Sequence, residues 1–170
     1  MSALIIDSRQ EQDSFVRLGD DEPVPHGARV LVSLAHWQAQ AERISEAAAA
    51  VGVLLPNTAD ILDLAPRLRY LPLIVLEFPS FADGRAYSQA RLLRDRVGFT
   101  GQLRATGAAV VRDQIAFLHR CGFNAFELRA DQDLAACLRA AAELTPAYQP
   151  AQDTRPLVRR LRKGDVAHAS

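Results

Sequence analysis

An arginine directly follows an Asp-Gly pair at residues 83–85, where an apolar run gives way to a helical pattern. Asp83 can accept hydrogen bonds from the first backbone N–H groups of that helix, and Gly84 allows a tight turn. Arg85 has no such local use, because a cation in the first turn of a helix opposes the helix dipole at a cost of roughly a few tenths of a kcal/mol. The sequence therefore predicts an anionic group close to Arg85.

Three explanations of Arg85 are open at this point. The anion is an internal carboxylate (Asp83, Glu77 or Glu127), or it is an external oxyanion shared with Arg104, since guanidinium groups bind oxyanions through paired hydrogen bonds. Alternatively, Arg85 reflects a composition in which Lys163 is the only lysine among 20 basic residues. Because ligands of parallel α/β proteins bind beyond the carboxyl ends of the strands, we expect a ligand-binding edge here. Its predicted residues are Asp83, Gly84, Arg85, Tyr87, Ser88, Arg104, Asp113 and Gln114.

Catalytic groups are harder to assign than ligand-binding ones, and enzymatic activity stays open. A general base would have to be Glu77, Glu127 or His36, and each of these is more often structural. The sequence has no nucleophile elbow, no His-Glu-x-x-His, no dinucleotide fingerprint and no phosphate loop with lysine. His119 and Cys121 lack a second pair of ligands at metal spacing, so we predict no metal site. The cofactor is unknown, since no motif for a nucleotide, flavin, haem or metal is present.

Short apolar runs alternate with helical patterns from Arg29 onward, which is typical of βα units. The clearest strand is PLIVLEF at 72–78, whose continuous apolar character predicts a central strand covered on both faces. Right-handed crossovers make such a sheet mostly parallel, and both an open sheet and a partial barrel fit the pattern. The predicted fold class is α/β, with a short N-terminal β hairpin or arm built from LIID and FVRL.

Helices are predicted after most of the strands, and three segments are predicted along the chain. The helical patterns cover 36–51 with Gly52 at the helix end, a short stretch capped by Thr58 or Asp60, 85–97, 108–120, and a last helix opened by Asp131 and Asp133. In 85–97 the apolar stripe is Ala86, Ala90, Leu93 and Val97, which leaves Arg85, Ser88, Gln89, Arg91 and Arg94 largely off it. The segments are an N-terminal β arm at 1–28, an α/β domain at 29–150, and a mobile basic tail at 151–170.

The composition limits the classes of partner and compartment. The chain has 170 residues and a net charge of zero, with 20 basic and 20 acidic residues, so no general field draws nucleic acid or acidic membranes. No apolar run has the length of a membrane span or a secretory segment, which predicts a cytoplasmic protein. Cys121 and Cys137 lie near apolar helical stripes, so buried free thiols are favoured over a disulfide.

One long segment has the pattern of a known family. FPSFADGRAYSQARLLRDRVGFTGQLRATGAAVVRDQIAFLHRCGFNAFEL resembles the core of a bacterial family of unknown function whose genes commonly lie beside that of the sulfite reductase haemoprotein. The resemblance covers roughly residues 70–130. Gln102, Ala108 and Asn124 depart from it, because the family usually has acidic residues there, and this places any catalytic role of those acids in doubt.

The resemblance implies a role in sulfite reduction or its regulation, and two hypotheses of different class follow. The first is an accessory protein of assimilatory sulfite reduction that acts with or on sulfite reductase. Its partner is that enzyme or another sulfur-assimilation protein, and the predicted basic tail suits an acidic partner. The second is a small enzyme or sensor in which Arg85 and Arg104 hold sulfite, sulfate or a sulfonucleotide at the strand ends.

Overall fold

The architecture is seen in a computed structural model, which describes residues 3–142. One sheet contains the eight strands of this part of the chain: β1 Leu4–Ile6, β2 Arg9–Glu11, β3 Val16–Arg17, β4 Arg29–Ser33, β5 Ala50–Leu55, β6 Leu73–Phe78, β7 Gln102–Gly107 and β8 Ala125–Glu127. The α-helices are α1 Leu34–Ala47, α2 Ile61–Leu68, α3 Arg85–Leu92, α4 Ile115–Arg120 and α5 Leu134–Ala142. A π-helical turn, Leu93–Val97, extends α3, and a 3-10 turn, Arg112–Gln114, precedes α4.

The strand order is β2-β1-β8-β7-β6-β5-β4-β3, and the sheet curls into a half-barrel. Strands β3 to β8 are parallel along this order, whereas β1 pairs antiparallel with both β2 and β8. The predicted α/β class is confirmed, and of the two architectures left open the partial barrel is the one observed. The central position predicted for PLIVLEF is confirmed as well, because β6 pairs with β5 on one side and β7 on the other.

The two faces of the sheet are distinguished by what they bury. Ile74, Leu76 and Phe78 of β6 belong to the main core, which also contains buried residues of all five helices. Leu73 and Val75 point to the opposite face, where they pack with Leu31 and Phe15. We call the helix-covered side the outer face and the concave side the inner face.

The N-terminal segment contributes to both edges of the sheet. The expected antiparallel hairpin is present, but the partner of β1 is β2 and not the FVRL run, which supplies β3 at the far edge. Residues 12–15 therefore cross from one edge of the half-barrel to the other. Phe15 fills the inner face beneath Arg29, whose guanidinium lies 4.4 Å from the centre of the ring.

Several predicted boundaries shift in the structure. Gly52 lies inside β5 and not at a helix end, because α1 already stops at Ala47 with Ala48 as its extended C-cap. The predicted helix at 108–120 begins only at Arg112, since Gly107 ends β7 at φ +99° and a turn follows it. Asp60 caps α2 as expected, through bonds from two backbone N–H groups. The buried free state of both cysteines is confirmed.

No helix within residues 3–142 is long and apolar enough to cross a bilayer. The basic tail predicted at 151–170 lies outside the described residues and stays a prediction.

Candidate functional site

The Asp-Gly-Arg turn forms a closed hydrogen-bond network at the carboxyl end of β6. Both oxygens of Asp83 accept hydrogen bonds from the guanidinium of Arg85: Oδ1 accepts from Nε at 3.0 Å, and Oδ2 accepts from Nη2 at 2.7 Å. Oδ1 also accepts from the Arg85 backbone N–H at 3.2 Å. Asn57, which follows β5, donates to Asp83 Oδ2 at 2.6 Å. The internal ion pair is therefore the observed partner of Arg85, and Asp83 rather than Glu77 or Glu127 provides it.

The electrostatics of this turn follow from these contacts. The hydrogen bonds from Arg85, first of its side chain and then of its backbone, lower the pKa of Asp83 to about 2, and the pair raises the pKa of Arg85. The Asp83 side chain is only 18% exposed, whereas that of Arg85 is 59% exposed. Gly84 is the N-cap residue of α3 and has no side chain. Asp83 therefore binds the backbone at the start of the helix from the position before the N-cap, and not from the N-cap itself as predicted.

Arg104 does not lie at the strand end, so the prediction that it shares an acceptor with Arg85 is wrong. It is the third residue of β7, in register with Val75, and it therefore points to the inner face. Its side chain is 1% exposed and binds both oxygens of Asp13, at 2.5 and 2.9 Å. Arg85 is paired with a carboxylate at the turn, and Arg104 is paired with another inside the half-barrel. The two arginines therefore bind different carboxylates.

Asp13 reaches Arg104 from the segment that crosses the inner face. Burial disfavours its charge, but the hydrogen bonds from Arg104 and from the Phe15 backbone N–H outweigh this effect and lower the pKa of the carboxyl group. A second ion pair lies on this face, between Arg17 and Glu127 at 3.7 Å. No local pattern around Asp13 in the sequence points to Arg104, because 91 residues separate the two.

Tyr87 and Gln114, two of the ligand-binding candidates of this edge, are in contact, while two other candidates are not. The Tyr87 hydroxyl donates to Gln114 Oε1 at 3.4 Å, and burial raises the pKa of the phenol. Ser88 and Asp113 are both exposed, and Asp113 lies 3.7 Å from Arg112. The candidate ligand-binding residues thus form two small groups and not one site.

Two polar residues of this edge were missed by sequence reasoning. Gln89 was expected off the apolar stripe of its helix, but it is buried and its Nε2 donates to the carbonyl oxygens of Pro56 and Ala59, both at 3.0 Å. Asn57 completes the network of Asp83 from the same β5–α2 loop. Both side chains tie α3 to that loop, and their only signal in the sequence is that Asn57 follows a strand.

The three candidate general bases are dispersed. Glu77 lies at the mouth of the half-barrel, beside a cleft of about 350 Å³ that Asp20 and Ser33 also line. In that cleft the Ser33 hydroxyl donates to Asp20 Oδ1 at 2.5 Å and accepts from the His36 backbone N–H as the cap of α1.

The other two candidate bases lie elsewhere: Glu127 faces Arg17, and the His36 side chain is buried on α1. Among residues 3–142, no three His, Cys, Asp or Glu side chains are grouped as metal ligands.

The side chain of Arg94, predicted off the apolar stripe, links several turns at the opposite end of the sheet. Its guanidinium donates to the carbonyl oxygens of Gly122 at 2.9 Å, Phe99 at 2.6 Å and Gly101 at 3.1 Å. Asn124, one of the positions where the chain departs from the resemblance, accepts from the Leu103 backbone N–H at 2.8 Å. These residues hold the turns around β7 and β8, far from the strand ends that carry Asp83.

Fold and site together define a half-barrel α/β protein whose strand-end arginine is neutralised internally. The chain belongs to the family described as bacterial protein of unknown function (DUF934), which matches residues 52–158. No curated protein and no solved structure matches the chain.

Proposed function

We propose that the protein is an accessory factor of assimilatory sulfite reduction that binds sulfite reductase through an aromatic surface at the carboxyl end of β6. The choice of partner rests on the resemblance of residues 70–130 to a family encoded beside that enzyme. The observation that carries a binding role is the exposure of two phenylalanines, Phe81 at 60% and Phe117 at 48%. Phe81 lies in the turn that the resemblance includes, next to Asp83 and Arg85.

The aromatic surface consists of Phe81, in the turn before α3, and of Tyr87 and Phe117, whose rings are in contact. The centre of the Tyr87 ring lies 4.9 Å from the centre of the Phe117 ring and 4.8 Å from that of the Phe78 ring. Phe78 is in the core and supports the other two rings. Exposed aromatic side chains held in place from below lose little conformational entropy on binding, which is typical of energetic centres of protein interfaces. The Asp83–Arg85 pair fixes the turn that presents Phe81.

The oxyanion hypothesis in the form given to it by the sequence needs Arg85 and Arg104 on one acceptor. Since each has its own carboxylate, the geometry favours a partner surface over a shared oxyanion site at this edge. An accessory role also needs no general base, and the three candidates for one lie apart.

The test is direct binding of the full-length chain to purified sulfite reductase haemoprotein, measured by calorimetry or by biolayer interferometry. Phe81→Ala and Phe117→Ala should each weaken the complex by about tenfold or more, the loss of one buried aromatic anchor. The matched control is Tyr70→Ala, an exposed aromatic that precedes β6 at the opposite end of the sheet. Absence of binding, or an equal loss with Tyr70→Ala, would remove the proposal.

A further inference from the structure

A second cleft lies between α1 and the loop that precedes β4. It measures about 460 Å³, and its walls include Glu22 and Val24 of the loop and His36, Gln40, Arg43 and Glu46 of the helix. His36, Gln40 and Arg43 recur at spacings of four and three, so they share one face of α1. The two walls are joined at the base, where the Gly27 backbone N–H donates to Ala47 O at 2.8 Å.

Charges of both signs line this cleft without pairing across it. The side chains of Arg43 and Glu46 have no hydrogen bond or ion pair within the described residues, although they lie one helical turn apart. Glu22 uses one oxygen to accept from the Gly19 backbone N–H at 3.0 Å, which leaves its other oxygen available. A cleft that keeps a guanidinium and two carboxylates separate presents complementary groups to a ligand carrying both charges.

Two further observations mark the same place. His36 is 4% exposed, it lines the cleft, and its Nδ1 has no hydrogen-bond partner. Most buried polar atoms of native proteins have a hydrogen-bond partner, and a water or a ligand in the cleft can supply one to this nitrogen. One turn further along, Gln40 has φ −135° and ψ 27°, which kinks α1 although neither glycine nor proline is present there. The kink therefore lies in the wall of the cleft, which Gln40 lines.

We propose that this cleft binds a small α-amino acid, with the ligand carboxylate on Arg43 and its ammonium group between Glu22 and Glu46. The side chain of the ligand lies toward Val24, which is half-buried and packs against the core. Two carboxylates and one guanidinium line the cleft, beside the side chains of His26 and His36. An acidic side chain on the ligand is repelled by the two carboxylates, so neutral amino acids are the favoured class. This site is separate from the aromatic surface and does not depend on the accessory role.

The experiment is calorimetric titration of the full-length protein with glycine, L-alanine, L-serine, L-cysteine and L-glutamate at millimolar concentration. We expect saturable one-to-one binding of at least one neutral amino acid and none of L-glutamate. The amide and the N-acetyl derivative of the bound amino acid, which lack the negative and the positive charge respectively, should both bind more weakly by about tenfold or more.

Variants on the exposed side of α1 test the residues without disturbing the fold. Arg43→Gln and Glu46→Gln should each weaken binding by about tenfold, and Glu42→Gln, an exposed change on the same helix outside this cleft, should leave it unchanged. Thermal melts confirm that the three variants are folded. Lack of binding by any neutral amino acid, equal binding of either derivative, or an equal effect of Glu42→Gln overturns the proposal.

Discussion

Arg85 and Arg104 are each paired with a carboxylate, the first in a solvent-exposed position and the second in a buried one. This difference in exposure determines what each pair contributes to the fold. Arg85 is solvated at the mouth of its turn, so its pair with Asp83 chiefly fixes local geometry. Arg104 is enclosed on the inner face, where a guanidinium can be kept only if a carboxylate accompanies it. The same residue type in the same family segment therefore shapes a turn in one place and holds a distant segment in the other.

The pair of Asp83 and Arg85 predicts a specific pH dependence of stability. The folded pKa of Asp83, about 2, lies below its usual value of 3.8, so its contribution is fully present above pH 3.8 and is lost as the pH falls through about 2. Asp83→Asn should therefore be less stable than the unmutated protein at neutral pH, with the difference shrinking between about pH 4 and pH 2. Urea denaturation across this range measures the effect, and Asp113→Asn at an exposed position is the control. A difference that stays constant with pH would contradict the assignment.

The pair of Asp13 and Arg104 predicts an asymmetric response to mutation. Asp13→Ala leaves a guanidinium that is 1% exposed without its carboxylate, and we expect a loss of about 3 kcal/mol in the free energy of unfolding. Arg104→Met replaces the charge by an apolar chain of similar length and leaves Asp13, which is 39% exposed, in reach of water, so a loss of only about 1 kcal/mol is expected. Chemical denaturation of the two variants measures this order, and equal losses would show that Arg104 is hydrated.

At the scale of the elements, the strand that the sequence marks most clearly is also the one that organises the sheet. β6 has neighbours on both sides and buries all its residues except Glu77. Its alternate residues pack against helices on one face and against Phe15 on the other, which explains why its pattern is continuously apolar. At its end Gly107 of β7 approaches closely, since a Cβ there would lie 2.3 Å from Phe78 O.

Truncation of a β6 side chain should reveal this central position. Leu76→Ala removes a fully buried side chain from the helix-covered face and should lower the free energy of unfolding by about 2–5 kcal/mol through the cavity it leaves. Leu62→Ala, on the exposed side of α2, should change it by less than about 0.5 kcal/mol. Denaturant titration of both variants gives the comparison, and similar small losses would place β6 outside the core.

The helices and strands could be predicted from the sequence because their signals are local. Contacts between residues that are far apart in the sequence could not be predicted. The apolar run of β6, the cap of α2 by Asp60 and the stripe of Ala86 and Ala90 are encoded within a few residues. The partner of Arg104 is not, because Asp13 belongs to a segment whose path across the sheet is set by tertiary packing. The same reason hid the burial of Gln89, whose acceptors lie in another loop. The choice between an open sheet and a half-barrel likewise depends on curvature that no short pattern encodes.

At the scale of the whole molecule, the N-terminal segment joins the two edges of the sheet. Four residues, 12–15, separate β2 at one edge from β3 at the other, so the sheet must curl to bring its edges close. Inside the curl, Phe15 fills the inner face beside Leu31 and Val75, and Asp13 neutralises Arg104. In the segment predicted as an arm ahead of the main domain, β1 and β2 thus extend the sheet, and Asp13 and Phe15 pack into the concave side of the half-barrel.

Removal of residues 1–17 should consequently abolish cooperative unfolding. Loss of Phe15 alone is expected to cost about 3–5 kcal/mol, and loss of Asp13 adds an unpaired buried guanidinium, against a total stability of about 5–15 kcal/mol for an ordinary domain. The truncated chain should show no sharp thermal transition by circular dichroism and should bind a hydrophobic dye through its exposed inner face. Removal of residues 152–170 is the matched control, and it should leave the melting temperature unchanged because that stretch has too few apolar residues to repay the entropy of ordering it. If the chain without residues 1–17 instead melts as sharply and at the same temperature as the full chain, the segment is an independent arm, and neither the inner-face core nor the ion pair of Arg104 holds the half-barrel together.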